Sequence, residues 1–550
     1  MKKVSLSFFA ILLALFTFCS AWAQEKNIKN VILMIPDGTS LATVSSARWY
    51  QRYNNPEITN LNIDPYLCGT VLTFSSNAPI GDSAPTTSCF MTGIPSRAGH
   101  VSTYPVADSE NDIIPLDPSM AYQPLITVLE AARLTQNKAT GLVFTCEFPH
   151  ATPADCAAHS YNRGKYNWIA PQMVHNGLDV VIGGGASLFT TPMKEYLSAE
   201  GYQCFLNDMN FQSYEGEKMW ALFNEKDMDY EIDRNPLKEP SIAEMTTKAI
   251  ELLSKNENGF FLMVEGSKID WAAHANDAAA IIHDMLAFDQ ACGVAFDFAK
   301  ENGETIVVIV PDHGNSGISI GSRKCPGYTT LTKDQLFANI SQFKTSIPGL
   351  IAKLHDTSPD KMKDVVYDLT GIALSDEEYE EILKCKDYNK STVSDEERMY
   401  GSSLTKVVAN ILDKNTCFGF TTTGHTGEEV FLAVYDPTPN RLMGHKTNVE
   451  LNHYLCQSLA LETNLQDLTA EYFSKHTTVF EGYNYKIETD KNNQPCLTVK
   501  HKKNKLEIRP NTNIILKNGK EYKLDTVIIY VDKNDTFYLP QSLRNVTETI

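Results

Sequence analysis

"NIKNVILMIPDGTS", residues 27–40, is the stretch that decides the fold. Valine, isoleucine, leucine and methionine follow one another without the polar alternation of a half-exposed strand, and the run stops at Pro36-Asp37-Gly38. A strand buried on both faces reads this way, and such strands belong to parallel sheets covered by helices. Four further segments share the pattern: "KATGLVFTCEF" (138–148), "LDVVIGGGASLF" (178–189), "GFFLMVEG" (259–266) and "ETIVVIVPDHGN" (304–315). Helical periodicity lies between them, over residues 122–134, 241–255 and 276–301. The expectation is an α/β fold, a mostly parallel central sheet covered by helices on both faces. In such sheets the carboxyl ends of the strands carry the site.

Ionisable residues gather at those ends. Asp37 follows "VILMIP", His150 and Thr152 follow "LVFTCEFP", Glu265 closes "FFLMV", and Asp312-His313 follow "TIVVIVP". In "VEGSKIDWAAH", Asp270 and His274 are four apart, which brings them onto one helical face, where they can share a divalent ion or form an ordinary ion pair. His425 stands in the glycine-threonine loop "TTTGHTGEE". Together these residues supply two nitrogen-bearing metal sites and one all-oxygen site. Two zinc-like ions so placed can bridge a phosphate.

"NAPIGDSAPTTSCFMTG", residues 77–93, sets Ser83 directly after Asp82. Asp-Ser is a frequent helix-capping pair. A neutral hydroxyl is also a poor nucleophile, so Ser83 attacks only if Asp37, Asp312 and His313 hold a metal beside it. In "HATPADCAAHSYNRGKY", Thr152 offers a hydroxyl to magnesium shared with Asp37 and Glu265, and Arg163 offers a planar fork to phosphate oxygens. His159 reads as structural.

The chain of 550 residues carries a net charge of -19, of which Lys2 and Lys3 belong to a leader. An acidic surface of this kind argues against nucleic-acid partners. The leader, residues 1–23, has an apolar core and ends Ala21-Trp22-Ala23, the small-x-small pattern for cleavage before Gln24. Phe16-Thr17-Phe18 before Cys19 lacks the small residue of a lipidation signal. No later stretch reads as a membrane span, so a periplasmic location is expected, with secretion or surface attachment as alternatives. Twelve cysteines include Cys19 in the leader, so an odd number remains, and Cys146 with Cys156 is a candidate disulfide.

The strand-helix rhythm lapses over residues 328–418, where capping boxes at Ser375/Glu378 and Ser394/Glu397 predict a mainly helical insertion, a lid or a pocket wall. The main domain is expected over residues 24–473. Residues 474–550 alternate short strands with Asn-Gly, Asp-Lys and Asn-Asp turns, predicting a small C-terminal antiparallel β module.

From residue 30 to about 458 the sequence resembles the alkaline phosphatases, the metal-dependent phosphomonoesterases. "NVILMIPDG", "GDSAPTTSCFMTG", "HATPA…AHSYNR", "VIGGG", "FLMVEGSKIDWAAH", "VVIVPDHG" and "GHTGE" occur in the family's order. The resemblance implies two zinc ions, one held by Asp270, His274 and His425, the other by Asp37, Asp312, His313 and the Ser83 oxygen. It also implies one magnesium ion held by Asp37, Thr152 and Glu265. Ser83 would form a phosphoseryl intermediate and Arg163 would grip the phosphoryl oxygens of phosphate monoester substrates and of inorganic phosphate. A homodimer is a further possibility the family raises.

Two positions depart from some bacterial members. His150 stands where they carry an aspartate, and Trp271 where they carry a lysine. An indole supplies no charge to phosphate, which implies weaker product binding or another donor such as Lys268. Two other functions stay in view, a phosphodiesterase or sulfatase of the same superfamily and a non-catalytic phosphate-binding or adhesion protein.

Overall fold

The computed structural model describes residues 28–325, 327–386, 403–491 and 493–548. The leader and the Ser394/Glu397 capping box lie outside the described residues. Ten strands form the central sheet: β1 (Asn30–Ile35), β2 (Leu67–Leu72), β3 (Ala139–Glu147), β4 (Val180–Gly184), β5 (Gln203–Leu206), β6 (Met219–Phe223), β7 (Phe260–Glu265), β8 (Thr305–Ile309), β9 (Val430–Tyr435) and β10 (Gly444–Thr447). Their order is β10-β2-β9-β8-β1-β7-β3-β4-β6-β5, and β9 alone among them runs antiparallel to its neighbours.

The uninterrupted apolar run of β1 has its cause in this layering. Val31, Leu33 and Ile35 face one core while Ile32 and Met34 face another, so both faces of the strand are dry. β1 lies between β7 and β8, with Ile35 level with Glu265 and Met34 level with Ile309. The polar residues that follow each strand therefore emerge on one rim.

Several boundaries differ from the sequence reading. The first expected helix begins at Val128, because Tyr122 takes a positive φ of 65° and Thr127 with Glu130 closes a capping box. The long helix begins at Ala278 rather than 276, since Asn276 is left-handed and the Asp277 carboxylate caps the free amides of Ala279 and Ala280. This helix, Ala278–Asn302, is long and apolar enough to cross a membrane, contrary to expectation. Its apolar side is instead buried in the core with Met285, Phe288 and Phe296, so its composition is that of a core helix.

The insertion contains helices Lys333–Phe337, Ile347–His355, Met362–Thr370, Asp376–Lys386 and Ser403–Thr416. The Ser375/Glu378 capping box forms as expected. Phe337, Leu350, Met362, Val408 and Phe418 join a third core with Ala272, Ala273 and Ile281, which sets the insertion against the helix carrying Asp270 and His274. A disulfide, Cys325–Cys417, closes its base. The expected Cys146–Cys156 bond is absent. Both thiols are free and buried, Cys146 donating to Glu265 and Cys156 to the Thr152 carbonyl.

Beyond residue 473 lie a five-stranded antiparallel sheet and a three-stranded sheet, the latter including the hairpin β11 (Ile529–Val531) and β12 (Thr536–Leu539). Ile529, Val531 and Tyr538 pack with Ile126, Ala131 and Phe473, fastening these sheets to the main body.

Candidate active site

Ser83 is the first residue of helix Ser83–Thr92, which is buried along its whole length. Asp82 occupies the cap position in extended backbone, yet its carboxylate does not cap the helix. It accepts from Arg163 Nη1 at 2.7 Å and from the Gly99 amide at 3.3 Å. Although burial opposes its charge, the Arg163 guanidinium holds Asp82 below the usual carboxylate range. The Asp82 side chain thus leaves the helix N-terminus at Ser83 uncapped, an end where the helix dipole favours an anion. Ser83 Oγ stands 3.4 Å from His313 Nε2.

Around this hydroxyl the strand ends converge. His313 Nε2 is 3.3 Å from Asp312 Oδ2 and 3.5 Å from Asp37 Oδ1. The His274 and Asp270 side chains approach to 3.3 Å, and His425 Nε2 lies 3.2 Å from His274 Nε2 and 3.8 Å from Asp270 Oδ1. His425 arrives from beyond the insertion because residues 425–426 pair antiparallel with Gly314–Asn315. Gly38, at φ 60°, follows Asp37, and a Cβ there would meet Asp270 Oδ1 at 2.3 Å, so the close approach of these two acids requires glycine.

The other ring nitrogens are fixed by backbone carbonyls: His274 Nδ1 by Thr423 at 2.6 Å, His425 Nδ1 by Gly81 at 2.9 Å and His313 Nδ1 by Gly314 at 3.1 Å. A proton on Nδ1 leaves each Nε2 as a lone pair, the tautomer a metal requires. Burial also lowers His313, and lowers His425 to about 4, favouring neutral rings.

The oxygen donors fit cations too. Both Asp37 oxygens, Asp312 Oδ2, Glu265 Oε1 and Thr152 Oγ1 are buried without a hydrogen-bond partner, as is His150 Nδ1. Burial raises Asp37, Asp312 and Glu265, with repulsion from Asp312 and Asp270 adding at Asp37 and repulsion from Asp270 adding at Asp312. Buried acids so close together cannot all be ionised without positive charge among them.

Among the described residues, three sets of donor atoms each lie within 4.8 Å of one another: Asp270, His274 and His425; Asp37, Asp270 and His313; Cys146, His150 and Glu265. The first is the set read from sequence. In the second Asp270 joins, so it stands between the two nitrogen-bearing sites, with Asp312 beside His313. The third contains Cys146, which sequence reasoning treated only as a disulfide candidate; its place at the end of β3, beside β7, was the available signal.

His150 Nε2 lies 3.2 Å from Arg163 Nη2, and burial followed by the Arg163 charge lowers His150 to about 3. Lys268 forms a buried ion pair with Asp227 and lies over the rings of Tyr230 and Trp271, so its charge is already neutralised. His159 is structural as expected, bridging Glu130 and the Ser102 carbonyl.

A parallel α/β sheet with clustered imidazoles and carboxylates at its carboxyl rim defines a metal-dependent hydrolase. Residues 28–461 match the alkaline phosphatase family profile. The chain belongs to the alkaline phosphatase family, the metal-dependent phosphomonoesterases. It is 32 % identical over 469 residues to alkaline phosphatase 3 of Bacillus subtilis, covering 81 % of this chain and 94 % of the relative. It is 31 % identical to alkaline phosphatase 4 of the same organism, covering 78 % and 89 %. The cold-active alkaline phosphatase of Shewanella sp. superposes with a TM-score of 0.66 at 26 % identity, over 78 % of this chain and 99 % of the other. The Thermus thermophilus enzyme, at 22 % identity, shares the fold with a TM-score of 0.67 over 80 % of this chain and 93 % of its own.

Proposed function

We propose that this phosphatase cleaves phosphate monoesters through a phosphoserine. Ser83 Oγ attacks phosphorus as the ester oxygen departs with a proton as the alcohol, and water then displaces Ser83 to release inorganic phosphate. The observation that carries this reading is the Ser83 hydroxyl at a helix N-terminus, 3.4 Å from His313, among buried carboxylate oxygens that lack partners.

Two zinc ions and one magnesium ion, when bound, would lower the pKa of the hydroxyl and of water and offset the phosphate charge. Asp270, His274 and His425 would hold one zinc, and Asp37, Asp312, His313 and the Ser83 oxygen the other. Asp37, Thr152 and Glu265 would hold magnesium, with His150 beside them. Arg163, oriented by Asp82, binds two phosphoryl oxygens in ground state and transition state alike. The buried rim excludes bulk water, which strengthens each of these contacts.

Residues 24–473 would form the catalytic domain, with the insertion at 328–418, and residues 474–550 an appended β module. Export is supported by the leader pattern and by a disulfide, which persists in oxidising compartments. A periplasmic location follows from the bacterial style of that leader.

The test is metal content together with hydrolysis of a chromogenic phosphate monoester before and after chelation. Activity should vanish on chelation and return with zinc and magnesium. Full activity in Ser83→Ala would refute the covalent route. Rates on a monoester, a diester and a sulfate sharing one leaving group should fall in that order, steeply after the first. Retention of metal without turnover would instead favour a binding protein.

A further inference from the structure

Arg163 sits in a tight turn. The Asn162 carbonyl accepts from the Lys165 amide at 3.1 Å, the Asn162 side chain accepts from the Gly164 amide at 2.8 Å, and the Arg163 amide donates to Gly99 at 2.7 Å. Such a turn sets the origin of the arginine side chain; on its flanks Ser160 exchanges backbone bonds with Val101, and helix Tyr166–His175 begins directly after Lys165. A further restraint reaches both flanks from outside the family-matched segment, which ends at residue 461.

One carboxylate at the tip of the β11–β12 hairpin, that of Asp532, bridges both sides of the turn. Its Oδ1 accepts from the Tyr161 hydroxyl at 2.6 Å, and its Oδ2 pairs with Lys165 Nζ at 2.9 Å. These partners lie two residues before and two after Arg163. Tyr161 is further seated edge-on against Tyr122, and the Lys165 ammonium lies 3.5 Å over the Trp168 ring. The hairpin itself is firm: Phe537 and Tyr538 are fully buried, Asn534 donates to the Tyr538 hydroxyl at 3.0 Å, and the Tyr530 hydroxyl donates to Asp535 at 2.8 Å.

We propose that Asp532 is a positioning residue for phosphate binding, through which the C-terminal β module sets the aim of the Arg163 guanidinium. This rests on Arg163 as the phosphate-gripping residue and assigns the appended module a part in that same site. The physical case is geometric. A charge-assisted bond on each flank restricts the turn's rocking, and a bidentate guanidinium is sensitive to small rotations of its base. Lys533, 5.5 Å over the Tyr161 ring, and Tyr530 against Trp168 adjoin the same turn, whereas the Lys523–Glu200 ion pair joins the module to the main body elsewhere and fastens without aiming.

The distinguishing experiment measures inhibition by inorganic phosphate, together with KM and kcat for a monoester, in Asp532→Ala, Asp532→Glu, Tyr161→Phe and Lys523→Ala. Melting temperature and metal content are followed in parallel. Asp532→Ala should raise KM and the phosphate inhibition constant about threefold to tenfold while kcat changes by less than about twofold, because the guanidinium acts on bound phosphoryl groups in every state. Asp532→Glu should recover part of the loss, Tyr161→Phe should show a smaller loss, and Lys523→Ala should leave phosphate affinity unchanged.

Unchanged phosphate inhibition in both Asp532→Ala and Tyr161→Phe would overturn the proposal, as would an equal effect from Lys523→Ala. Arg163→Ala separates the two layers of the argument: if it too leaves phosphate inhibition unchanged, the assignment of Arg163 fails. If it weakens phosphate while Asp532→Ala does not, only the positioning role fails.

Discussion

The indole of Trp271 meets the imidazole of His150 edge to face, with ring centroids 5.6 Å apart. The Lys268 ammonium lies 4.5 Å over the same indole and is paired with Asp227, so neither position 268 nor 271 presents a free charge to a phosphate beside Arg163. Trp271→Lys should therefore tighten inhibition by inorganic phosphate about tenfold, the order expected for one added ion pair in a partly buried site. Inhibition constants at fixed ionic strength measure this, and an unchanged value would show that Trp271 does not weaken product binding.

On the proposed mechanism, removing Arg163 deletes two hydrogen bonds to phosphate, whereas removing Asp312 or His425 deletes a metal ligand. Arg163→Ala should lower kcat/KM by about tenfold to hundredfold, and Asp312→Ala or His425→Ala by more than about a thousandfold. Steady-state kinetics with measured metal content fixes the order. A larger loss from Arg163→Ala would reverse the ranking of metal over guanidinium.

Asp413, on the last helix of the insertion, is pushed up to about 7 by burial, with Lys324 opposing and Asp277 adding to the rise. The unfolded chain ionises it near pH 4, so between about pH 4 and pH 7 the folded state keeps a proton that the unfolded state releases. Stability from this group is present below that window and lost as pH rises through it. Asp413→Asn should raise the melting temperature by about 1–3 °C at pH 8 and by less at pH 5. Equal shifts at both pH values would show that Asp413 is not the titrating group.

The Cys325–Cys417 bond closes a loop with a sequence separation of 92 at the foot of the insertion. In the chain-entropy picture a loop of that size is worth about 4–5 kcal/mol. Paired serine substitution should leave the central sheet folded while making residues 327–416 susceptible to limited proteolysis. Mass mapping of the first cuts checks it, and cuts falling first within the sheet would contradict it.

The core strands β1, β3, β4, β7 and β8 were legible because burial on both faces forces an unbroken apolar run. β2, β5 and β10 sit toward the sheet's edges, where exposed positions interrupt the pattern; β5 carries Gln203 exposed and no fully buried residue. β6, "MWALF", is wholly buried but has no β-branched residue, so its short apolar run does not distinguish strand from buried helix. Helix starts at residues 122 and 276 were set too early: Tyr122 and Asn276 take left-handed backbone without being glycine, and the later start signals, Pro124 with the Thr127/Glu130 capping box and the Asp277 cap, were passed over.

At the site, Asp37, Asp312, His313 and Glu265 were readable because each closes or follows a buried strand, and Asp270 and His274 because they stand four apart on the short helix Ser267–His274 after β7. Asp270's place between two donor sets was not, because it depends on how closely Gly38 lets two segments approach. The Asp532 bridge was equally invisible, being a contact between residues 367 and 371 positions apart.

Followed along the backbone, His313 and His425 are separated by the entire insertion; followed through the sulfur bridge, the tether between them is about 20 residues, which lowers the entropy of bringing their imidazoles together by about 1.5 kcal/mol. The length of the excursion between the two cysteines thereby drops out of that tether, while its packing on Ala272 and Ala273 still joins it to the helix of Asp270 and His274. Residues can be added to or taken from the excursion without lengthening the path the second histidine must travel.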